Sequence, residues 1–217
     1  WAERRNETLK GKRYIVQGFG NVGYWTSYFM ALEGAVLVGV QDAGGTLQNP
    51  DGIDPEALNT YVEANNRSVA GFKGGAVMEP ADFFGIDCDI VVPAALGNQI
   101  TARNAGTIKA KVVAEGANGP TDTEGEAILR GMGVEIIPDI LCNSGGVIGS
   151  YIEWLQNKRA EYWKMDEVLK MISEKITTAF TSVVNTAVEF NTDWRTSAYI
   201  VALRRLEKAY KERGIFP

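Results

Sequence analysis

The stretch Tyr14-Ile15-Val16-Gln17-Gly18-Phe19-Gly20-Asn21-Val22-Gly23 decides the fold. A short apolar run stopped by glycines reads as a buried strand. Gly18 to Gly23 fit the spacing G-x-G-x-x-G. Beyond them Val22, Trp25, Phe29 and Leu32 recur at helical spacing, and Gly34 stands where a helix C-terminus favours glycine. Val36 to Val40 is a second buried strand, closing at Gln41-Asp42. Strand, glycine turn, helix and strand within about thirty residues form a βαβ unit, and a parallel sheet follows from it.

In that context the glycines match a dinucleotide-binding fingerprint, with a separate reason at each position. Gly18 permits the tight turn, and Gly20 lets backbone approach a pyrophosphate with no Cβ in the way. Gly23 lets the helix pack closely on the sheet while its first N–H groups, in the Phe19, Asn21 and Val22 region, face the phosphates. Asp42 stands where such folds place the acid that accepts ribose hydroxyls and repels a 2′-phosphate. The alternative is that Asp42 only caps the turn before Gly44-Gly45. No arginine is expected nearby to accept a 2′-phosphate, which favours NAD over NADP.

Outward from this unit, Gly44 to Gly52 reads as a turn-rich loop, and Asp54-Pro55 opens a helix through about Asn65. Ile90 to Val92 is a strand ended by Pro93, Thr101 caps a short helix, and Lys111 to Glu115 is another strand. Asp122 opens a helix reaching Arg130, and Val134 to Ile137 is one more strand. The remainder is helical, near 147–159, 166–190 and 194–213. In the last helix Tyr199, Leu203, Leu206 and Tyr210 form a stripe expected to face a core. The pattern predicts an α/β, Rossmann-like, doubly wound and mostly parallel sheet with a helical C-terminal tail. It is expected to be a single dinucleotide-binding domain over 1–217, with a core near 9–150 and the helical part after it.

Composition narrows the chemistry. The 217 residues carry 22 basic and 27 acidic side chains, a net charge of −5, 45% hydrophobic residues and no histidine. The negative balance argues against nucleic acid and anionic membranes as partners. Lack of histidine excludes Ser-His-Asp and Cys-His catalysis and HExxH metal sites. Cys88 and Cys142 lie outside any CxxC spacing and read as free thiols of a reducing compartment. No apolar run approaches a membrane span and no signal peptide is evident, so the expectation is cytoplasmic. Three Asn-containing segments are expected past strand ends, at 93–98, 115–120 and 142–146, where a doubly wound sheet binds its ligand.

Six stretches carry a family resemblance: LKGKRYIVQGFGNVG, NPDGIDPEAL, VVPAALGNQIT, VVAEGANGPT, ILCNSGGVIGSYIEWLQN and RTSAYIVALRRL. Together they resemble the cofactor-binding domain of the glutamate dehydrogenases, within the amino-acid dehydrogenase superfamily. The resemblance implies oxidative deamination of L-glutamate to 2-oxoglutarate and ammonia, with NAD as hydride acceptor, commonly in a homohexamer. It implies that Gly18 to Gly23 cradle the pyrophosphate. Ala94, Ala95 and Asn98 border the cofactor ribose, and Asn118 and Asn143 flank the nicotinamide. Val147 and Ser150 line the amino-acid side-chain pocket, with Ser150 binding the glutamate γ-carboxylate. The family's catalytic lysine and aspartate belong to an N-terminal domain that this chain lacks, so no catalytic residue and no metal ligand is assigned here. Phe72-Lys73-Gly74-Gly75 echoes the lysine motif only superficially, and Lys73 reads as a surface lysine. Two alternatives stand beside this reading. A leucine, valine or phenylalanine dehydrogenase needs an apolar pocket, which the Ser150 hydroxyl argues against. A non-catalytic NAD-binding module would leave Val147 and Ser150 without a purpose.

Overall fold

A computed structural model describes residues 1–214. The chain divides into two compact units, Trp1–Ile136 and the segment from Ile137 onward. In the first, the expected βαβ unit is present as β1 (Arg13–Gln17), α1 (Asn21–Leu32) and β2 (Val36–Gln41). Then follow β3 (Thr46–Gln48), α2 (Pro55–Ala64), β4 (Ala76–Val77), β5 (Ile90–Pro93), β6 (Val112–Ala114), α3 (Thr123–Gly131) and β7 (Glu135–Ile137). These strands make one sheet in the order β4-β3-β2-β1-β5-β6-β7. The pairs β1–β2, β1–β5 and β5–β6 are parallel, whereas β2–β3 and β3–β4 are antiparallel. The fold class is therefore the expected doubly wound, mostly parallel sheet.

Two features differ from the sequence reading. The turn-rich segment after Asp42 contains β3, a three-residue strand between β2 and β4 that pairs with β2 through Gly39, Val40 and Gln41. It is too short for its periodicity to register. The short helix expected to be capped by Thr101 is a 3₁₀ turn, Ala105–Thr107, flanked by Asn104 instead. The Asn104 carboxamide accepts from the Thr101 N–H at 2.8 Å. By contrast, the caps Asp54 and Asp122 are as read, accepting from the N–H groups of Ala57 at 2.8 Å and Gly125 at 2.6 Å.

Helix α1 docks by an unusual face. Its buried residues are Gly23 and Ser27, while Val22, Trp25, Phe29 and Leu32 are about half exposed or more. Ser27 Oγ donates to the Gly23 carbonyl at 2.8 Å, and the Tyr14 hydroxyl donates to the Ser27 carbonyl at 3.1 Å. Small residues bring the helix against the sheet and the bulky ones face away from it. Under the sheet lies a core that includes Ile15, Val38, Phe83, Val91, Ile100, Val113 and Leu129. Cys88 belongs to it, and burial pushes its thiol up to about 12, so it is no thiolate nucleophile near neutral pH.

The second unit is helical: α4 (Asp139–Cys142), α5 (Ser144–Arg159), α6 (Met165–Phe190) and α7 (Trp194–Arg213). Asp193 caps α7 by accepting from the Thr196 N–H at 2.8 Å. Leu141, Val183 and Ala198 form its small core with Phe180 and Trp194, whose rings meet edge to face at 5.4 Å. Arg195 pairs with Asp139 at 3.1 Å, tying α7 to α4. The expected core-facing stripe of α7 is corrected here. Tyr199, Leu203, Leu206 and Tyr210 are 53–62% exposed. Helical periodicity identifies an apolar face but does not specify what the chain provides to cover it.

Candidate functional site

The site forms where β1 sits between β2 and β5, the point at which chain order reverses in the sheet. The strand ends are joined by backbone hydrogen bonds: Gly18 N–H donates to Gln41 O at 2.6 Å, and Ala94 N–H to Gln17 O at 2.7 Å. Gly18 has φ +88°, a region that L side chains rarely adopt, and a Cβ there would lie 2.8 Å from the Ala94 and Ala95 backbone. A Cβ on Gly23 would lie 1.8 Å from the Gly18 carbonyl oxygen. A Cβ on Gly20, by contrast, would meet nothing within 4 Å. Gly18 and Gly23 are thus required by the turn and the docked helix, while the space over Gly20 is open.

That open space belongs to a cleft of about 960 Å³. This lies toward the upper end of the roughly 300–1,000 Å³ typical of small-molecule sites. Among the expected residues, Gly18, Phe19, Gly20, Asn21, Asp42, Ala94 and Ala95 line it. Val22 and Gly23 continue along the first turn of α1. Asn98 lies beyond the lining, with φ +54°, and its N–H donates to Gly119 O at 2.8 Å. The loop after β5 is thereby tied to the loop after β6, which holds Asn118. Gly116 and Ala117 N–H also donate to Pro93 O, at 3.0 and 2.9 Å.

Asp42 is engaged by its own surroundings. Oδ1 accepts from the N–H groups of Gly44 at 2.8 Å and Gly45 at 2.9 Å, and Oδ2 accepts from Val69 N–H at 2.7 Å. The turn-capping alternative is therefore present in the structure, and Asp42 faces the cleft as well. Its hydrogen bond to Val69 draws the segment after α2 to the same edge. Asn66, Arg67 and Ser68 line the cleft there, which corrects the expectation that no arginine stands near Asp42. Asn66 and Arg67 are both left-handed, with φ 52° and 56°. For a residue such as arginine that conformation costs on the order of 1–3 kcal/mol. Arg67 is exposed and pairs with Glu63 at 3.5 Å.

Sequence reasoning also missed three glutamines on the floor. Gln17 Nε2 donates to Gln41 Oε1 at 2.9 Å and to Gln99 Oε1 at 3.1 Å, and all three line the cleft. Gln17 and Gln41 gave the signal of a polar residue at the end of an otherwise apolar strand, whereas Gln99 lies in the loop after β5. Lys73 is exposed, as read. Among the described residues no cluster of His, Cys, Asp and Glu is placed to hold a metal.

In the second unit the expected loop at 142–146 is instead a helical junction: Cys142 ends α4 and Ser144 opens α5. Asn143 N–H donates to Asp139 O at 3.0 Å, so the chain hardly leaves helical hydrogen bonding. A Cβ on Gly145 would make ordinary contact with Ile176 at 3.4 Å, and one on Gly146 would meet nothing within 4 Å. Val147 and Ser150 lie on α5 and are exposed.

The family model for Glutamate/Leucine/Phenylalanine/Valine dehydrogenases matches residues 1–214. The chain belongs to that dehydrogenase family. It is 39% identical over 213 residues to an NAD-specific glutamate dehydrogenase of Staphylococcus aureus, covering 98% of this chain and 51% of that protein. Among solved structures it is similar to a hetero-hexameric glutamate dehydrogenase from Thermus thermophilus, with TM-score 0.92, 30% identity and coverage of 100% of this chain and 51% of that one. It is also similar to a glutamate dehydrogenase from Peptoniphilus asaccharolyticus, with TM-score 0.84, 35% identity and coverage of 99% and 50%. The chain thus spans about half the length of the relatives it matches. An L-tryptophan dehydrogenase from Nostoc punctiforme shares the fold at TM-score 0.70 and 22% identity.

Proposed function

We propose that this chain is the dinucleotide-binding domain of an NAD-dependent glutamate dehydrogenase. The observation that carries the reading is the cleft over Gly18 to Asn21, open above Gly20 and closed by tight packing at Gly18 and Gly23. The chain's own groups supply binding and orientation. The first N–H groups of α1 meet the pyrophosphate, and the Asp42 edge meets the adenosine ribose. Ala94 and Ala95 leave room beside the glycine turn, with Asn98 in the same loop. Asn118 and Asn143 orient the nicotinamide, while Val147 and Ser150 shape the amino-acid pocket. NAD, when bound, supplies the hydride acceptor for conversion of L-glutamate and water to 2-oxoglutarate and ammonium. Proton transfer belongs to groups in the half of the family enzyme outside this chain, and the complete enzyme is a homohexamer of the cytoplasm. No described helix is long and apolar enough to cross a membrane, which is compatible with that location.

The relatives named above at 30% identity or more are glutamate dehydrogenases, which supports glutamate over an apolar substrate. Calorimetric titration of the chain with NAD tests the reading. Saturable binding is expected, with no NADH formed on adding glutamate. In Gly20→Val the side chain enters open space, so thermal stability is expected to hold. NAD affinity should fall by more than about tenfold, because a side chain then stands between backbone and pyrophosphate. Equal NAD binding by the folded Gly20→Val variant would remove the cleft from the function.

A further inference from the structure

The outward face of α1 has the composition of an interface. From Asn21 to Leu32 the helix carries no charged residue. Yet Val22, Trp25, Phe29 and Leu32 are 48%, 50%, 50% and 67% exposed. These four recur at intervals of three, four and three residues, the a and d spacing of a helix that pairs with another helix. The rings already form a ladder along the face, Trp25 meeting Tyr28 at 5.5 Å and Phe29 at 6.0 Å between centroids. The sheet is engaged through Gly23 and Ser27 on the opposite face, so the bulky seam is left for another surface. The apolar stripe of α7 differs, since Arg204, Arg205 and Glu207 are interleaved with it.

We propose that α1 pairs with α1 of a second copy of this chain, antiparallel about a two-fold axis, in a weak and reversible dimer. The seam is complementary to itself in that arrangement. With the axis between Trp25 and Phe29, Trp25 faces the partner's Phe29 and Val22 faces the partner's Leu32, each pair occurring twice. Charge selects the same orientation. Glu33 follows the last turn of α1, where the helix dipole disfavours an acid, and no base in that turn offsets it. Antiparallel pairing sets Glu33 beside the positive N-terminal end of the partner's helix, whereas parallel pairing would set the two Glu33 carboxylates side by side. Area sets the strength. With large aromatics carrying about 150–250 Å² each, the half-exposed seam offers on the order of 400 Å² per copy. That is about half of the roughly 800 Å² per partner in a standard stable interface, so the dimer forms at high concentration only. This inference does not depend on the dinucleotide reading of the cleft.

The test is sedimentation velocity of the chain without cofactor, from about 10 to 500 µM, for the wild type, Trp25→Gln, Phe29→Gln and Leu203→Gln. The wild type is expected to move from monomer toward dimer across this range, as a small interface requires. Trp25→Gln and Phe29→Gln should each weaken association by about tenfold or more while keeping the wild-type circular dichroism, because both side chains lie on the exposed face. Leu203→Gln, on the stripe of α7, should associate like the wild type. Orientation is read by cross-linking in a Cys142→Ser background, Cys88 being buried. A mixture of Val22→Cys and Leu32→Cys copies under mild oxidation should form disulfide dimers faster than either alone. A wild type that stays monomeric throughout overturns the proposal. So does association that Leu203→Gln abolishes and the folded Trp25→Gln and Phe29→Gln variants keep, or cross-linking no faster in the mixture.

Discussion

At Asp42 the place in sequence does not separate a ribose-binding role from a structural one. Its position after β2 suggests a ribose acid, and its hydrogen bonds to Gly44, Gly45 and Val69 make it the clamp between two loops. Replacement by serine removes charge-assisted hydrogen bonds at a half-buried site, costing about 1–3 kcal/mol of stability. A loss of several degrees in Tm is the expected outcome in a thermal scan, along with about tenfold to hundredfold weaker NAD binding if the ribose role also holds. Unchanged Tm would contradict the clamp; unchanged NAD affinity would leave the clamp as its whole role. Tyr14 makes a different prediction. Burial holds its phenol at about 12 rather than the ordinary 10. From pH 10 to 12 the unfolded chain loses this proton and the folded chain keeps it, so stability falls with rising pH by up to about 2–3 kcal/mol. Tyr14→Phe should flatten that alkaline fall in denaturant titrations at pH 8 to 11.5. An equally steep fall in the variant would assign it to other groups.

At the scale of elements, legibility followed locality. The unit β1–α1–β2 could be read because each glycine has a nearby reason: the turn at Gly18, the packing of Gly23 on Gly18 O, the cap at Gly34. The short strands β3 and β4 could not, since three and two residues hold extended form only through pairing with β2 and with each other. The stripe on α7 was read as a periodic face but its surroundings are set by what lies against it, and periodicity carries no information on that. Arg67 was missed because 25 positions separate it from Asp42, and the two edges meet only when the chain returns after α2. Helix α1 inverts the usual weighting of large and small residues. Gly23→Ala places a methyl against a carbonyl oxygen that β1 cannot move, and it should cost about 1–3 kcal/mol or more. Trp25→Ala or Phe29→Ala, on the half-exposed face, should cost less than about 1 kcal/mol. Urea denaturation of the three variants orders them, and a larger loss in Trp25→Ala than in Gly23→Ala would mean that the bulky face, not the small one, anchors the helix.

For the whole molecule, the cleft over the glycine turn lies in the unit Trp1–Ile136, whereas Val147 and Ser150, proposed for the amino-acid pocket, lie on α5 of the second unit. In a complete enzyme rebuilt with the other half of a family member, Ser150→Val is expected to deny the γ-carboxylate a donor, costing about 1–3 kcal/mol in transition-state binding. Measured as kcat/KM, activity on glutamate should fall by roughly tenfold or more relative to norvaline. An unchanged ratio would remove Ser150 from the pocket and restore the apolar amino-acid dehydrogenases as the better reading. The central claim, that the open space over Gly20 is a dinucleotide site, is met most directly by a crystal structure of this chain grown with NAD. The account predicts pyrophosphate oxygens at about 2.7–3.2 Å from backbone N–H groups of the Gly18–Asn21 turn, with the adenosine ribose against the Asp42 edge. NAD bound elsewhere, with the Gly18–Asn21 turn untouched, would contradict it.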